Sequence, residues 1–491
     1  MDIQLVLSVL IIYFFFLVII AYLTSRKAST TTFFNADKQS PWYLVAFGMI
    51  GASLSGVTFI SIPGAVLGSQ FSYFQIVLGY IAGYSVIATV LMPLYYKLQL
   101  VSIYGYLEQR FGFWTYKTGA AFFLLSRTIG AAFRLFLAVI ALQIGLFEAW
   151  DFPFWLTAFI SIVLVWTYTF KGGIKTVVWT DTLQTTFLLL AMFASIFLIK
   201  SELNLNFSAL IDTIAESEYS KVFFWKIKDK NNFLKQFFSG MFIAIAMTGL
   251  DQDMMQKNLT CRNLPEAQKN VLWFTVVLVV VNFIFLCLGA LLYIYATTKA
   301  IPLPMKDGQI LTDQVYPFLA FNHFSTFAGV AFLLGITAAT YSSSDSALTA
   351  LTTSFCVDFL NINKASQEKK RRTTVRWVHI GFSLLLLLVI VIFKAIKEAN
   401  PESNVIGALF SAAGYTYGPL LGLYAFGLFT NINVKDRWIP IVCIVCPILS
   451  YFIDYYTPQL FEGFSFGFLI ILINGMLTFV GLWLCKKEGR A

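Results

Sequence analysis

Hydroxyl side chains recur at helical spacing within one long apolar stretch of the sequence, 327–355. At spacings of three and four residues, one helix face there carries Ala339, Ser342, Ser343 and Ser346. The carboxylate of Asp345 lies at the edge of this face, and hard oxygen ligands suit a small hard cation. Serines alone are also typical of close helix packing or of bonds back to the helix backbone. A carboxylate in hydrocarbon, however, costs several kcal/mol unless it meets a cation, a proton or water. The face therefore predicts a cation site.

The composition indicates a membrane protein. Of 491 residues, 58% are hydrophobic and only 12% are charged, which leaves too little polar surface to cover a soluble globule. Apolar runs long enough to cross about 30 Å of hydrocarbon recur along the chain, and we find no soluble domain between them. We predict one all-α transmembrane domain, 1–491, with thirteen spans at roughly 3–24, 41–66, 73–98, 118–146, 153–170, 176–199, 233–256, 271–298, 325–355, 374–395, 403–430, 438–456 and 463–485.

The basic residues predict the orientation of these spans. The net charge is +9, and the chain carries 34 lysines and arginines. When the loops are assigned to alternate sides of the membrane, 22 of these basic residues fall on one side and ten on the other. The richer side is cytoplasmic by the positive-inside rule. We therefore expect a multi-pass protein of the plasma (inner) membrane, with its N-terminus outside and its C-terminus in the cytoplasm. The basic charge reflects topology and indicates no nucleic-acid partner.

Several function classes lack the residues that they need. The six cysteines match no metal-site or thioredoxin spacing, so we expect no cofactor and no metal site of that kind. A membrane enzyme requires a nucleophile, a base and an orienting group, and neither histidine, His323 or His379, lies in a motif that could serve. A transporter-like sensor would be expected to carry a signalling domain after residue 485. A passive channel is disfavoured by interrupted helices.

Few charged residues lie within the apolar spans. Arg127 and Arg134 share a face of the fourth span, where Arg127 could snorkel to the cytoplasmic end but Arg134 is too central to do so easily. Arg134 therefore predicts a functional or paired role. Asp251 and Asp253 lie close to Lys257 and are interpreted as marking a cytoplasmic helix end. That leaves Asp181 and Asp345 as the acidic residues with buried roles.

Two spans are interrupted by helix-breaking residues. The second contains glycines, three serines, a threonine and a proline within 51–64, and the seventh contains weaker breaks at 238–240 and 248–252. The weaker breaks taken alone favour a simple kink. Each interrupted span begins a block of five, however, and paired interruptions of this kind are typical of inverted-repeat transporters.

The chain resembles the sodium:solute symporters, the family of sodium/glucose, proline and sialic acid cotransporters. Six motifs in order carry the resemblance from about residue 30 to 430: 51–59 (GASLSGVTF), 104–112 (YGYLEQRFG), 172–184 (GGIKTVVWTDTLQ), 252–256 (QDMMQ), 341–348 (YSSSDSAL) with 357–358 (VD), and 414–419 (GYTYGP). The resemblance implies a LeuT-like fold with inverted repeats at 41–199 and 233–430. One leading helix, 3–24, and two trailing ones within 438–485 complete it.

The resemblance also implies two cation sites. The common sodium site would use the backbone carbonyls of Gly51, Leu54 and Ala339 and the hydroxyls of Ser342 and Ser343. A second site, present in some members, would use Asp181, Ser342 and Ser346. Asp345 departs from the family pattern, which has serine or alanine there. This carboxylate could join the second cation site, share a proton with Asp181, or pair with Arg134.

Substrate residues follow from the likeness to sialic acid cotransporters and would be Ser53, Ser55, Thr58, Phe71, Gln75 and Arg134. Arginine is a forked donor that fits a carboxylate. The glucose-type Glu-Gln pair is replaced by Val57 and Thr58, which disfavours a simple hexose. We expect a symporter that lies in the lipid bilayer, with Na+ as coupling ion and a small solute as partner. The best candidate for this solute is a carboxylate-bearing sugar such as sialic acid. The alternatives are a neutral sugar, an amino acid, a vitamin or a monocarboxylate, coupled to sodium or protons.

Overall fold

The computed structural model describes residues 3–25, 30–143, 147, 150–169, 173–362, 368–399 and 405–487. Most of these residues are helical, and Met305–Lys306 (β1) pairs with Gln309–Ile310 (β2) in a small antiparallel sheet. The α-helices are α1 (Ile3–Ser25), α2 (Thr30–Asn35), α3 (Trp42–Ser53), α4 (Gly56–Ser69), α5 (Tyr73–Val86), α6 (Met92–Lys97), α7 (Gly105–Arg110), α8 (Phe113–Leu142), α9 (Phe154–Thr169), α10 (Gly173–Glu202), α11 (Phe207–Ala215), α12 (Phe233–Ala244), α13 (Gln252–Asn258), α14 (Leu264–Thr298), α15 (Thr312–Asn322), α16 (Thr326–Ser354), α17 (Glu368–Ala399), α18 (Val405–Phe429), α19 (Ile439–Leu460) and α20 (Ile470–Leu484). Segments of π-helix extend α5, α12 and α16 over Ile87–Leu91, Ile245–Gly249 and Phe355–Phe359.

Every one of the thirteen predicted spans coincides with helix. Nine of the described helices are long and apolar enough to cross a membrane, or eleven if each of two bent pairs forms one span. The two other predicted spans are α9, which is apolar but has only 16 residues, and α18, which carries many small and polar residues. Residues 144–146, 170 and 403–404, at the ends of predicted spans, lie outside the described residues.

Both interrupted spans are broken helices. Between α3 and α4 the chain bends by 55°, and Leu54 and Ser55 leave the helical conformation with ψ angles of 68° and 177°. Between the π-helical end of α12 and α13 it bends by 69°, at Leu250 and Asp251. The interpretation of the seventh span as a simple kink is therefore wrong. Each break turns backbone groups out of the helix, where they can bind a ligand.

The two broken helices are held in a tightly packed bundle. The central contact is between α10 and α16, and α16 also packs against α8 and α3. α5 and α12 approach so closely that their backbones touch. A Cβ added at Gly79 would lie 2.0 Å from the carbonyl oxygen of Phe237, and one added at Gly240 would lie 2.0 Å from that of Ile76. Glycine at both positions is therefore what permits this contact.

Backbone hydrogen bonds join loops that are distant in sequence. Loop 200–232 covers the turn between α4 and α5, where Phe71 N donates to Lys221 O at 3.1 Å. Lys487 N donates to Asn433 O at 2.8 Å, which joins the loop after α18 to the residues after α20.

The start of α8 is capped by an aspartate from a distant loop. Asp436 accepts hydrogen bonds from Trp114 N at 2.9 Å and Thr115 N at 2.8 Å, and from Thr115 Oγ1 at 2.6 Å. Its carboxylate satisfies backbone N–H groups that have no partner within the helix and opposes the positive end of the helix dipole. It also ties α8 to the loop that precedes α19.

Asp436→Ala is expected to lower the free energy of unfolding by about 1–2 kcal/mol, because it removes this cap. The measurement is denaturant unfolding of the purified protein in detergent micelles. Glu462→Ala is the matched control, since Glu462 forms only an exposed ion pair with Lys228, and its change should stay within about 0.5 kcal/mol. Equal stability of the two variants would contradict the capping role.

Candidate functional site

A polar cavity lies beside the break between α3 and α4. It has about 650 Å³ of space not occupied by protein atoms, including its open mouth. Four of the six predicted substrate residues line it: Ser53, Ser55, Thr58 and Arg134. Its other polar residues are Tyr73, Tyr80, Tyr84, Thr248 and Asn282. The broken helix therefore supplies hydroxyl groups on one wall, and α8 supplies a single positive charge.

Arg134 faces the cavity from α8 with an unused donor group. Its side chain is 8% exposed, and its Nε is buried without a hydrogen-bond partner. No carboxylate lies among the residues that line the cavity. A buried guanidinium without an anionic partner is costly in free energy, and a ligand carboxylate would complete it with two parallel hydrogen bonds.

The two remaining predicted substrate residues lie apart from the cavity wall. Gln75 Nε2 donates to Asn231 O at 2.8 Å, and its Oε1 accepts from Phe224 N at 3.2 Å. Its amide is thus occupied with the backbone of loop 200–232. Phe71 is buried and packs edge to face on Phe283. In this conformation both residues hold loop 200–232 against the turn between α4 and α5.

The residues of the common sodium site come together where α3 ends against α16. Ser343 Oγ lies 3.2 Å from Ala52 O and 3.1 Å from Ala339 O. A Cβ added at Gly51 would lie only 3.3 Å from Ser342 Oγ, so α3 and α16 are in contact there. Leu54 is the residue at which the helix breaks. The Ser343 hydroxyl and the carbonyl oxygens of Ala52 and Ala339 thus lie together between α3 and α16, and neutral oxygens of this kind fit sodium.

The predicted second cation site already contains a lysine. Asp181 Oδ2 accepts from Lys257 Nζ at 2.7 Å, and its Oδ1 accepts from Ser342 Oγ at 2.5 Å. Lys257 is 1% exposed and Asp181 is fully buried. Both carboxylate oxygens of Asp345 and the hydroxyl of Ser346 are buried without a hydrogen-bond partner. The alternative in which Asp345 pairs with Arg134 is therefore not the arrangement in this structure.

A second ionic cluster forms around Arg127, seven residues before Arg134 on α8. Arg127 is 2% exposed and forms an ion pair with Asp253, and its Nη1 lies 4.0 Å from Asp251 Oδ2. Asp251 also accepts from the Tyr417 hydroxyl, and its Oδ1 caps α13 by accepting from Asp253 N at 2.9 Å. The snorkelling interpretation of Arg127 is therefore wrong. The two aspartates join the second broken helix to α8 and α18.

A family-level comparison agrees with this geometry. The sequence model of the sodium:solute symporter family matches residues 33–433. The chain belongs to this family. The resemblance drawn from the six motifs is thereby confirmed. This sodium:solute symporter is a multi-pass membrane transporter with Na+ as its coupling ion, and not an enzyme.

Individual relatives of this symporter are distant but extensive. It is 24% identical over 460 residues to the sodium/sialic acid symporter NanT of Aliivibrio fischeri, covering 91% of this chain and 87% of the relative. It is 26% identical over 399 residues to the mouse sodium-coupled monocarboxylate transporter 1, covering 78% and 62% respectively. The Drosophila melanogaster putative sodium-dependent multivitamin transporter is 24% identical, over 82% of this chain and 66% of the relative.

Solved structures establish the fold of the symporter. A Na+-coupled sialic acid symporter in a substrate-bound outward-open state matches with a TM-score of 0.81 at 19% identity, over 99% of both chains. Mhp1 in its inward-facing conformation matches with a TM-score of 0.51 at 15% identity, over 91% of this chain and 90% of that chain. The predicted all-α LeuT-like fold is confirmed.

Several polar residues of the symporter were not predicted from its sequence. Tyr73, Tyr80 and Tyr84 line one side of the cavity at spacings of seven and four, which is a readable helix-face pattern. Asn282, an isolated amide within an apolar span, was a second readable signal. Lys257 gave no such signal, because its position suggested a cytoplasmic helix end.

Proposed function

We propose that this symporter uses sodium to import a small polar solute that carries a carboxylate, with sialic acid as the best candidate. The observation that carries the proposal is Arg134, a buried arginine facing a cavity without acidic residues. The names of the relatives agree, since sialic acid and monocarboxylates share a carboxylate group. A neutral sugar, an amino acid or a vitamin is the alternative substrate.

Solute recognition would combine one charged and several neutral contacts. The Arg134 fork binds the carboxylate, and the hydroxyls of Ser53, Ser55 and Thr58 bind other polar groups of the solute. These three residues flank the helix break, so their backbone groups are also available. Phe71 and Gln75 stay predicted substrate residues. They would reach the solute if loop 200–232 moves as the outer side closes.

Sodium coupling follows from the position of the common site at the same break. We assign the ion to the carbonyls of Gly51, Leu54 and Ala339 and the hydroxyls of Ser342 and Ser343. An ion there fixes the end of α3 against α16 and so organises the neighbouring solute-binding residues. Each ligand then raises the affinity of the other by the same factor. At 100 mV, each sodium that enters without a compensating negative charge on the solute contributes roughly 2.3 kcal/mol from voltage.

The second cation site is proposed to hold positive charge between the two repeats, 41–199 and 233–430. Its ligands would be Asp181, Ser342, Asp345 and Ser346. Two buried carboxylates at this site require a nearby cation. The Lys257 ammonium is such a cation, and it already pairs with Asp181. This bond connects α10 of the first repeat to α13 of the second.

The orientation proposed from the basic loops places the N-terminus outside and the C-terminus in the cytoplasm. α8 then runs outward from its start at Phe113, so Arg127 lies on the cytoplasmic side of Arg134. Under this assignment the Arg127 cluster closes the cavity toward the cytoplasm. The cavity would therefore receive solute from outside, as import requires.

Uptake by proteoliposomes tests the proposal. An inward sodium gradient should drive radiolabelled sialic acid above its external concentration. A channel would equilibrate the solute without accumulation, and an enzyme would release a product. Accumulation of a monocarboxylate but not of sialic acid would move the substrate assignment to that alternative. Accumulation driven only by a proton gradient would refute sodium coupling.

Ser342→Ala combined with Ser343→Ala is expected to raise the sodium concentration for half-maximal uptake about tenfold or more, which corresponds to ~1.4 kcal/mol. The double variant removes two of five proposed sodium ligands. Ser344→Ala is the matched control, because the Ser344 hydroxyl bonds only its own helix, to Thr340 O at 2.8 Å. The measurement is initial uptake against sodium concentration. An unchanged half-maximal concentration in the double variant would refute the site.

A further inference from the structure

Lys257 is a fully enclosed cation at the centre of the molecule. It belongs to α13, the short helix after the second break, and its Nζ lies 2.7 Å from Asp181 Oδ2 on α10. Its exposed fraction is 1%. This arrangement differs from a lysine at a membrane surface, whose ammonium would reach water.

We propose that the Lys257 ammonium is the resident cation of the second site, so that this symporter binds one sodium ion and not two. The inference rests on the proposed sodium coupling and specifies its stoichiometry. An ammonium group and a sodium ion both bind to carboxylate oxygens. In this chain the lysine holds Asp181 Oδ2, and Ser342 Oγ holds Oδ1.

The backbone around Lys257 is fixed on both sides, so the ammonium is held in place. The preceding residue, Gln256, donates from Nε2 to Phe34 O at 2.6 Å and to Thr353 Oγ1 at 3.1 Å. The following residue, Asn258, accepts from Asn270 Nδ2 at 2.5 Å. These bonds anchor α13 to α16 and α14, and they leave the lysine side chain directed at Asp181.

Charge repulsion is the reason that a second sodium is excluded. A free sodium ion bound to Asp181 would lie within a few ångströms of the lysine ammonium in a buried site of low dielectric, where like charges repel strongly. The carboxyl group of Asp345 lies close enough to Asp181 and Lys257 to interact with both electrostatically, but it forms no hydrogen bond to the ammonium. Removal of the lysine would leave both carboxylates free to bind a second sodium.

The position of Lys257 also explains how the site could take part in transport. A sodium ion at this point would be released in every cycle, whereas a lysine stays attached to the second broken helix. Movement of α13 relative to α10 would break its bond to Asp181. The lysine thus replaces a transported charge by one that remains in the protein.

The test is the number of sodium ions bound per protein, measured with ²²Na+ on the purified protein in detergent without solute. We expect one sodium for the unaltered protein, two for Lys257→Met and one for Lys257→Arg, which keeps the charge. Asp345→Asn should stay at one. Lys299→Met is the matched control, since Lys299 pairs with Glu202 in a partly exposed position at 3.1 Å. It should also bind one sodium.

Two sodium ions bound to the unaltered protein would overturn the inference without any variant. It would equally be overturned by one sodium bound to a Lys257→Met protein that is monodisperse and unfolds at the usual temperature. If Lys257→Met does not fold, the count for the unaltered protein and for Lys257→Arg still decides the question. No sodium bound to the unaltered protein would instead refute the proposed sodium coupling itself, a result distinguishable from either of these.

Discussion

Uptake of sialic acid is expected to fall about 100-fold or more when Arg134 is replaced with alanine. The guanidinium is the one positive group on the wall of the cavity, and a buried charged hydrogen bond to a ligand is worth roughly 2–5 kcal/mol. A hundredfold loss corresponds to ~2.7 kcal/mol. The quantity to measure is initial uptake divided by solute concentration at saturating sodium, in proteoliposomes with equal amounts of protein.

Two further variants separate recognition from folding. Arg134→Lys keeps the charge but loses the paired N–H donors, so it should recover only part of the uptake. Arg437→Ala is the matched control, because Arg437 is exposed near the start of α19, far along the chain from the cavity residues of α8. It should transport as the unaltered protein does. Sialic acid uptake by Arg134→Ala at the normal rate and half-maximal concentration would remove the carboxylate argument.

The sequence predicted the fold well because apolar length and helix-breaking residues are local properties. Glycines, serines and a proline within 51–64 do not favour an uninterrupted helix, and the chain bends between Ser53 and Gly56. The serines of α16 could be placed on one face from their spacing alone. Their partners at the end of α3 came from the family resemblance, and the structure adds the carbonyl of Ala52.

Burial within the protein is the property that the sequence did not reveal for three charged residues. Asp251, Asp253 and Lys257 stand next to a basic loop, and distance along an unbroken helix would place them near the cytoplasm. The 69° bend instead turns α13 back into the protein, so all three become buried. Their partners, Arg127 and Asp181, are more than 70 residues away in sequence. Pairing over such separations depends on the packing of several helices.

Gln75 illustrates a different limit. A polar residue near the start of a span could bind a solute or could hold a loop, and both uses require the same donor and acceptor groups. In the structure its amide is shared between Asn231 and Phe224 of loop 200–232. Only the three-dimensional course of that loop distinguishes the two uses in this conformation.

Arg127→Met is expected to produce the largest loss of stability, about 3–5 kcal/mol in the free energy of unfolding. The variant leaves Asp253 without its cation and weakens the surroundings of Asp251, and both carboxylates are fully buried. Lys299→Met is the matched control. It removes a partly exposed ion pair with Glu202 and should lower the free energy of unfolding by less than about 1 kcal/mol. Denaturant unfolding in detergent measures both.

The double variant Arg127→Met with Asp253→Asn shows whether the cost comes from an unpaired charge. If it does, neutralising Asp253 should restore a large part of the stability, because removing both members of a buried ion pair is far less costly than removing one. Asp251 is left unchanged, since it also caps α13. Additive losses from the two substitutions would show that the residues act independently. The cluster would then not act as an ionic connection between the second broken helix and α8.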